Sequence, residues 1–315
     1  MISRRIIRTK VLQILYAHVS SPEKTITQSE SELHFSIRKT YDLYHLLFAI
    51  LGEISDFAND RIESRKLKNL PTEDDLNPNI RFINNRLITR LKEDKSLTKY
   101  LTVNKLSWSN YPDLIRGIYT VMVESEIYNE YISSATDDFQ KDRQFCEDFF
   151  SIILVNNEIM LNELEEQSIY WNDDLDFAIS MVIKTIKKFK GENDRNEYLM
   201  PLYKDEEDLE FTSKLFRKAI INDSENRKII ETYTKNWDVD RVAIMDVLIM
   251  QLALTELMEF PSIPVKVTLN EYIELAKYYS TNRSSTFING VLDKITKDFR
   301  EEGKIVKAGR GLLEG

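Results

Sequence analysis

The residue types that enzymes use for acid–base, nucleophilic or metal chemistry are sparse in this chain. Its 315 residues include only three histidines, His18, His34 and His45, and one cysteine, Cys146. No two histidines have the spacing that places two metal ligands on one helix face, and no paired-cysteine motif occurs. Phosphate-binding glycine loops and a nucleophile elbow are also absent, although residue types alone leave a Ser/His/Asp set open. We therefore expect no enzyme, no metal and no cofactor.

The first ten residues could instead bind an anion. Arg4, Arg5, Arg8 and Lys10 occur there without an acid, although the whole chain has a net charge of −9. On a helix the three arginines share an arc of about 100°. The helix dipole disfavours cations in the first turns, so their removal is expected to leave stability unchanged or slightly higher. RNA is one counter-charge, since arginine forks onto phosphate and stacks on bases; intramolecular acids are the alternative.

The elements that would position these arginines are predicted to be helices. Glycine and proline are scarce, with 8 and 7 residues, which favours long helices with short connections. Apolar residues at helical spacing predict an all-α fold. The predicted helices span about 4–19, 30–67, 80–100 and 111–133, with a loop at 70–79 and a linker at 191–208.

The C-terminal third has the clearest boundary signals. Asp238 is a candidate N-cap, flanked by Trp237 and Val242 as a hydrophobic staple, for a buried helix that reaches about Met258. Thr268 and Glu271 form a capping-box pattern for the next helix, which runs to about residue 279. A polar loop at 280–286 then precedes the last helix. The tail after residue 303 is predicted to be basic and flexible.

Two segments resemble each other at an offset of about 66 residues. Identical residue types recur between about 138–174 and 204–240, including Asp142 with Asp208 and Trp171 with Trp237. A duplicated helical hairpin explains the pattern, and so do two amphipathic hairpins of similar composition. In either case each segment is predicted to form helix, short loop, helix.

Composition also bounds the compartment. No apolar run approaches the roughly 20 residues that span a bilayer, and the basic N-terminus leads to no small-residue cleavage site. A single cysteine cannot form an intramolecular disulfide, which suits a reducing environment. We therefore expect a cytoplasmic protein that makes no membrane contact.

Motifs at both ends resemble the NusB antitermination family. Residues 263–277 read IPVKVTLNEYIELAK and residues 287–294 read FINGVLDK, while residues 4–16 form an arginine-rich first helix that ends in Leu-Tyr. The segment 252–257, LALTEL, fits the buried helix of the family. Four matches in family order are specific, although Gln251 and Ser280 stand where family members often have arginine and glycine. The loop before the last helix is also more basic and hydroxyl-rich than in the family.

This resemblance implies a NusB-like helical bundle interrupted by additional helices. The first helix at 1–19 would pack against a main part at 201–300, with an inserted helical region at 20–200 and a tail at 301–315. A possible repeat unit lies at 138–190 of the insert. RNA methyltransferases also carry NusB-like domains, but their glycine-rich cofactor loop and catalytic cysteine have no match here.

The function implied by the resemblance is transcription antitermination. Family members bind boxA RNA of ribosomal RNA leader transcripts together with the NusE-type small-subunit ribosomal protein, and the complex assembles on RNA polymerase. Carried over by position, the RNA contacts would be Arg4, Arg5, Arg8, Lys10 and Tyr16, with Phe287 stacking on a base. Asp246, a polar residue in the buried helix, is the candidate contact to the protein partner. The alternative is a helical interaction module that kept the fold without RNA binding.

Overall fold

The computed structural model describes residues 1–191, 196–234 and 243–312, and all of its regular elements there are helical, which confirms the all-α prediction. The α-helices are α1 (Arg4–Val19), α2 (Ile26–Lys66), α3 (Glu73–Leu76), α4 (Arg86–Glu93), α5 (Lys95–Asn104), α6 (Pro112–Glu124), α7 (Glu126–Ser133), α8 (Phe139–Asp148), α9 (Glu158–Gln167), α10 (Leu175–Ile186), α11 (Glu206–Ile221), α12 (Asp223–Thr234), α13 (Ile244–Glu259), α14 (Val265–Tyr279) and α15 (Ser284–Glu301). A π-helical segment, Phe149–Leu154, follows α8, and a 3₁₀ turn, Gly309–Leu312, ends the described chain. None of these helices is both long and apolar enough to cross a membrane.

The chain divides into two compact units. Unit 1 comprises Met1 and Arg38–Leu202, and unit 2 comprises Ile2–Ile37 and Tyr203–Gly315. Unit 2 therefore combines the first helix of the chain with α11 to α15. Helix α2 contributes its first twelve residues to unit 2 and the rest to unit 1.

Local capping divides two segments that the sequence predicts as single helices. Asp94 ends α4 and also caps α5, since its side chain accepts a hydrogen bond from the backbone N–H of Leu97. Ser125 likewise caps α7 through the N–H of Tyr128. Short polar side chains can bind backbone N–H groups and so end one helix and begin the next. The apolar residues of the sequence keep their helical spacing across such a break, so the pattern alone does not reveal it.

The core of unit 2 forms around α13, in which every residue from Leu248 to Leu257 is buried. Helices α11, α12, α14 and α15 pack against it, and α1 packs against α11 and α13. The predicted N-cap Asp238 and the staple of Trp237 with Val242 lie outside the described residues. An apolar surface on nearly all sides of a helix is the pattern that complete burial requires.

The capping box predicted at Thr268 and Glu271 is wrong. Helix α14 begins after Pro264, which is its N-cap, so Thr268 lies one turn inside the helix. The buried hydroxyl of Thr268 donates instead to Oε1 of Glu256, at 2.8 Å. Proline is well suited to a helix start because its fixed φ is helical and it has no N–H to satisfy.

Unit 1 repeats one feature of unit 2 at the offset seen in the sequence. Asp142 in α8 accepts a 2.8 Å hydrogen bond from Arg86, the first residue of α4. Asp208, its counterpart in α11, accepts a 2.8 Å hydrogen bond from Arg4, the first residue of α1. The same acid–arginine pair thus joins a preceding helix to α8 in one unit and to α11 in the other, which favours the duplication.

The C-terminal tail, predicted to be flexible, is packed against the end of α13. Lys307 Nζ donates to the carbonyls of Leu257 and Phe260 at 2.9 and 3.1 Å, and the N–H of Ala308 donates to the carbonyl of Pro261 at 3.0 Å. The last carbonyls of a helix lack intrahelical donors. The tail supplies donors to those carbonyls. The basic, glycine-containing composition of the tail does not reveal this packing.

Candidate functional site

A buried ion pair fixes α1 in unit 2. Arg8 contacts Glu256 of α13 through two hydrogen bonds of 2.7 Å, and the side chains of the two residues are 4% and 0% exposed. The hydroxyls of Thr268 and Tyr272 in α14 donate to the same carboxylate, at 2.8 and 3.1 Å. Three helices therefore meet at one carboxylate, all of whose described partners are hydrogen-bond donors.

Electrostatics keep Arg8 charged in spite of its burial. Burial alone would lower the pKa of Arg8, but the charge and hydrogen bonds of Glu256 outweigh it, so the pKa lies above its ordinary value. Burial and then the charge of Glu256 raise the pKa of Tyr272 well above its usual range. Arg8 is thus placed away from solvent, and its removal would leave a buried carboxylate short of donors. This burial argues against the expectation that stability is insensitive to this arginine.

The other two arginines of α1 lie at the surface and also have acidic partners. Arg4 contacts Asp208 at 2.8 Å, and its guanidinium stands over the ring of Phe211, 5.1 Å from the centroid. Arg5 forms two hydrogen bonds with Glu271, at 3.0 and 2.9 Å, while 62% of its side chain stays exposed. The hydrogen bond and then the charge of Glu271 raise the pKa of Arg5. Arg5 is the arginine of α1 most accessible to an anion.

The structure separates the two other predicted contacts on α1. Lys10 is 1% exposed, whereas Tyr16 is 43% exposed near the end of the helix. One turn before Tyr16, the side-chain amide of Gln13 donates to the hydroxyl of Tyr279, at 3.2 Å. Tyr279 is the last residue of α14, so the second half of α1 lies beside the α14–α15 connection.

Asp246 holds that connection in place. It is 5% exposed, and it accepts a hydrogen bond from the hydroxyl of Ser280 and another, at 3.0 Å, from the hydroxyl of Ser284. The side chain is therefore committed to the protein interior, and we assign it the positioning of the loop 280–283 in place of a direct partner contact. A carboxylate at this point fixes both ends of a four-residue loop.

The start of α15 presents groups suited to an anion or a base. Its first turn contains no acid, and Arg283 at the N-cap position is exposed. Phe287 follows one turn later and is partly exposed. Exposed backbone N–H groups and the positive end of the helix dipole favour phosphate at such a position. The loop predicted at 280–286 is shorter than expected because α15 already begins at Ser284.

Sequence reasoning missed two features of this site. Glu256 is an acid in the largely apolar stretch 248–257 of α13, and an acid in such a stretch was the available signal for a buried partner of an arginine. The bond between Gln13 and Tyr279 had no signal, since neither residue type is unusual at its position. The described residues contain no group of three or more His, Cys, Asp or Glu side chains placed to hold a metal ion.

Comparison with known proteins points to one family. The sequence profile of the NusB family matches residues 175–297, from the start of α10 in unit 1 into α15. The transcription antitermination protein NusB of Salinibacter ruber is 42% identical over 114 residues, which are 36% of this chain and 71% of that protein. The protein of the same name from Chloroherpeton thalassium is 37% identical over 105 residues, 33% of this chain and 50% of the relative. The protein of the same name from Natranaerobius thermophilus is 32% identical over 100 residues, which are 30% of this chain and 72% of that relative. No solved structure is significantly similar to this chain.

Proposed function

This chain belongs to the NusB family, and on that premise we propose that it is an RNA-binding transcription antitermination factor. Its ligand would be boxA-type RNA of ribosomal RNA leader transcripts, bound together with a NusE-type small-subunit ribosomal protein within the antitermination complex on RNA polymerase. It would act in the cytoplasm, without catalysis.

One observation carries the proposal. Two elements of unit 2 carry exposed groups suited to RNA: α1, with Arg5 and the ring of Tyr16, and the start of α15, with Arg283 and the partly exposed ring of Phe287. The bond of Gln13 to Tyr279 joins α1 to the end of α14 that leads to α15. Arginines can fork onto phosphates, and aromatic rings can stack on unpaired bases, so the surface suits a short single strand. Arg4 would add charge at the edge. Arg8 and Lys10 would act from beneath, by holding α1 in place.

The protein partner follows from charge. A chain with a net charge of −9 repels RNA at long range, and few phosphate contacts give only weak binding at physiological salt. A basic ribosomal protein bound to this acidic chain would offset that repulsion and lengthen the surface available to RNA. We expect modest RNA affinity for the chain alone and a cooperative increase with the partner. Since coupling is reciprocal, RNA would tighten the protein pair by the same factor.

The test is a fluorescence titration of labelled boxA RNA with the full chain, alone and with the ribosomal protein. The double variant Arg5→Gln/Tyr16→Ala is expected to weaken binding at least tenfold and to lower the log–log salt slope by roughly 0.7. The matched control, Lys99→Gln, removes one exposed cation from α5 in unit 1. Equal affinity and slope in wild type and double variant would reject the RNA site.

The interaction-module alternative has one observation in its favour. Each arginine at the start of α1 has an acidic partner within the chain: Asp208, Glu271 or Glu256. These pairs satisfy the basic start without RNA. If the ribosomal protein binds the chain with the same affinity in the presence and absence of boxA RNA, and no RNA binding is measurable, this alternative replaces the proposal.

A further inference from the structure

The second half of α2, in unit 1, carries a basic and aromatic stripe that the proposed function does not use. Phe57, Arg61, Ser64 and Arg65 recur at helical spacing and, together with Lys68 and Asp60, line an open cleft of about 410 Å³. The intervals of three and four residues place these side chains on one helix face. We propose that this cleft binds the sugar–phosphate backbone of single-stranded RNA.

Arg61 is the centre of the cleft. Its guanidinium stands 5.4 Å from the ring centroid of Tyr119 and 5.9 Å from that of Phe57, and the two rings contact each other edge to face at 5.2 Å. Among the described residues Arg61 has no salt bridge, and it is exposed. Rings beneath a guanidinium hold it by cation–π attraction and leave its N–H groups directed outward. Such an arginine is preorganised for a phosphate.

Two further cations are held at the rim of the cleft. Arg65 and Lys68 both contact the buried carboxylate of Asp75, at 2.7 and 3.0 Å, while about half of each cationic side chain stays exposed. The N–H of Thr72, then Lys68 and Arg65, keep the pKa of Asp75 below its usual range, so the acid stays ionised. One acid shared by two cations leaves a positive surface whose side chains are already positioned.

The local charge opposes that of the whole chain. Residues 57–68 contain four cations, Arg61, Arg65, Lys66 and Lys68, against the two acids Asp60 and Glu63, whereas the chain as a whole has a net charge of −9. Arg61 and Arg65 stand one turn apart on α2 and Lys68 follows just beyond its end, an arrangement that an extended polyanion can match. RNA is favoured over an acidic peptide because Phe57 and Tyr119 are partly exposed and offer ring surface to a base.

The rival occupant is an anionic membrane surface. Leu67 and Leu70, next to the cleft in sequence, are 84% and 89% exposed. Basic residues with exposed leucines can bind anionic lipid headgroups. Two arms separate the occupants: a fluorescein-labelled oligo-uridine of twelve nucleotides and vesicles that contain phosphatidylserine, each titrated with the full chain at several salt concentrations.

The test variant is Arg61→Gln/Ser64→Glu, which makes the cleft more negative by two charges and leaves both partners of Asp75 in place. In the part of the chain that the structure describes, the hydroxyl of Ser64 bonds only to the backbone of its own helix, at Asp60. The matched control is Lys99→Gln/Thr102→Glu on α5. It has the same spacing and charge change, and Thr102 makes the same backward hydrogen bond, to Thr98. Both pairs are exposed near a helix C-terminus.

We expect the test variant to lower the log–log salt slope of oligo-uridine binding by about 1 and the affinity at low salt by about tenfold. The control should leave both within error, and Arg61→Lys should retain most of the slope. The proposal is overturned by an unchanged slope in the test variant, by an equal loss in the control, or by a clear preference of the wild type for vesicles.

The result is separable from the proposed function. Arg5→Gln/Tyr16→Ala in unit 2 should reduce the preference for boxA RNA over oligo-uridine. The cleft variant should weaken both RNAs by the same factor. If only the cleft variant binds both RNAs as the wild type does, the antitermination proposal stays in place. If only Arg5→Gln/Tyr16→Ala leaves the preference for boxA RNA unchanged, the cleft proposal stays in place.

Discussion

Substitution of Glu256 by glutamine tests the assignment of Arg8 to the interior. The change keeps the size of the side chain and an oxygen for Thr268 or Tyr272, but it removes the charge that balances Arg8. Because the Arg8 side chain is 4% exposed, its guanidinium would remain buried, and its nearest remaining acid would be Glu271, which lies 3.8 Å away and already binds Arg5. The stability of unit 2 should therefore fall far more than a surface ion pair could explain.

The expected magnitude follows from the burial. Removal of one partner from a buried ion pair costs about 3–5 kcal/mol, whereas a pair at the surface contributes about 0–1 kcal/mol. In a protein of this size such a loss lowers the melting temperature by roughly 10 °C. Glu259→Gln is the control on the same helix: Glu259 contacts Lys218 at 2.9 Å, and its side chain is 23% exposed. That substitution should cost about 1 kcal/mol or less.

The assay is thermal and urea unfolding of a double-mutant cycle. Arg8→Met and Glu256→Gln each remove one charge of the buried pair, whereas the double variant contains neither. The double variant should therefore be more stable than the sum of the single losses predicts, by about 2 kcal/mol or more. Losses that add within about 0.5 kcal/mol, or a cost for Glu256→Gln equal to that of Glu259→Gln, would refute the assignment.

Two further predictions concern the packed tail. Burial, only partly offset by Glu256, lowers the pKa of Lys307 to about 8. Between pH 8 and the higher pKa of an unfolded lysine, the unfolded state binds more protons than the folded state. The unfolding free energy of the wild type should therefore rise with pH in this range relative to that of Lys307→Met. Parallel pH profiles of the melting temperatures of the two proteins would contradict this prediction. Gly311→Ala places a Cβ against the carbonyl of Pro261. Residues 304–312 of this variant should therefore exchange amide hydrogens faster and be cleaved sooner by protease. The control is Gly309→Asn, at a position with positive φ and open space, and equal exchange in the two variants would count against tight packing of the tail.

The sequence by itself determined the fold class, the main helices and the family. Apolar periodicity and scarce glycine specify helices locally, and motifs such as FINGVLDK at 287–294 carry the resemblance to the family. The exact extent of α1, from Arg4 to Val19, was also predictable because Ser20 and Pro22 end the helical pattern. These features depend on neighbours in the chain, so they need no tertiary information.

Only the tertiary structure decided which arginine is buried. Arg4, Arg5 and Arg8 look alike in sequence, yet Arg8 meets a carboxylate 248 positions away and Arg5 stays exposed. The same holds for Asp246, whose partners are the two serines that bound the α14–α15 connection. A charged side chain takes its role from the acids and donors that packing brings within about 3 Å, and periodicity along one helix contains no information about those distant partners.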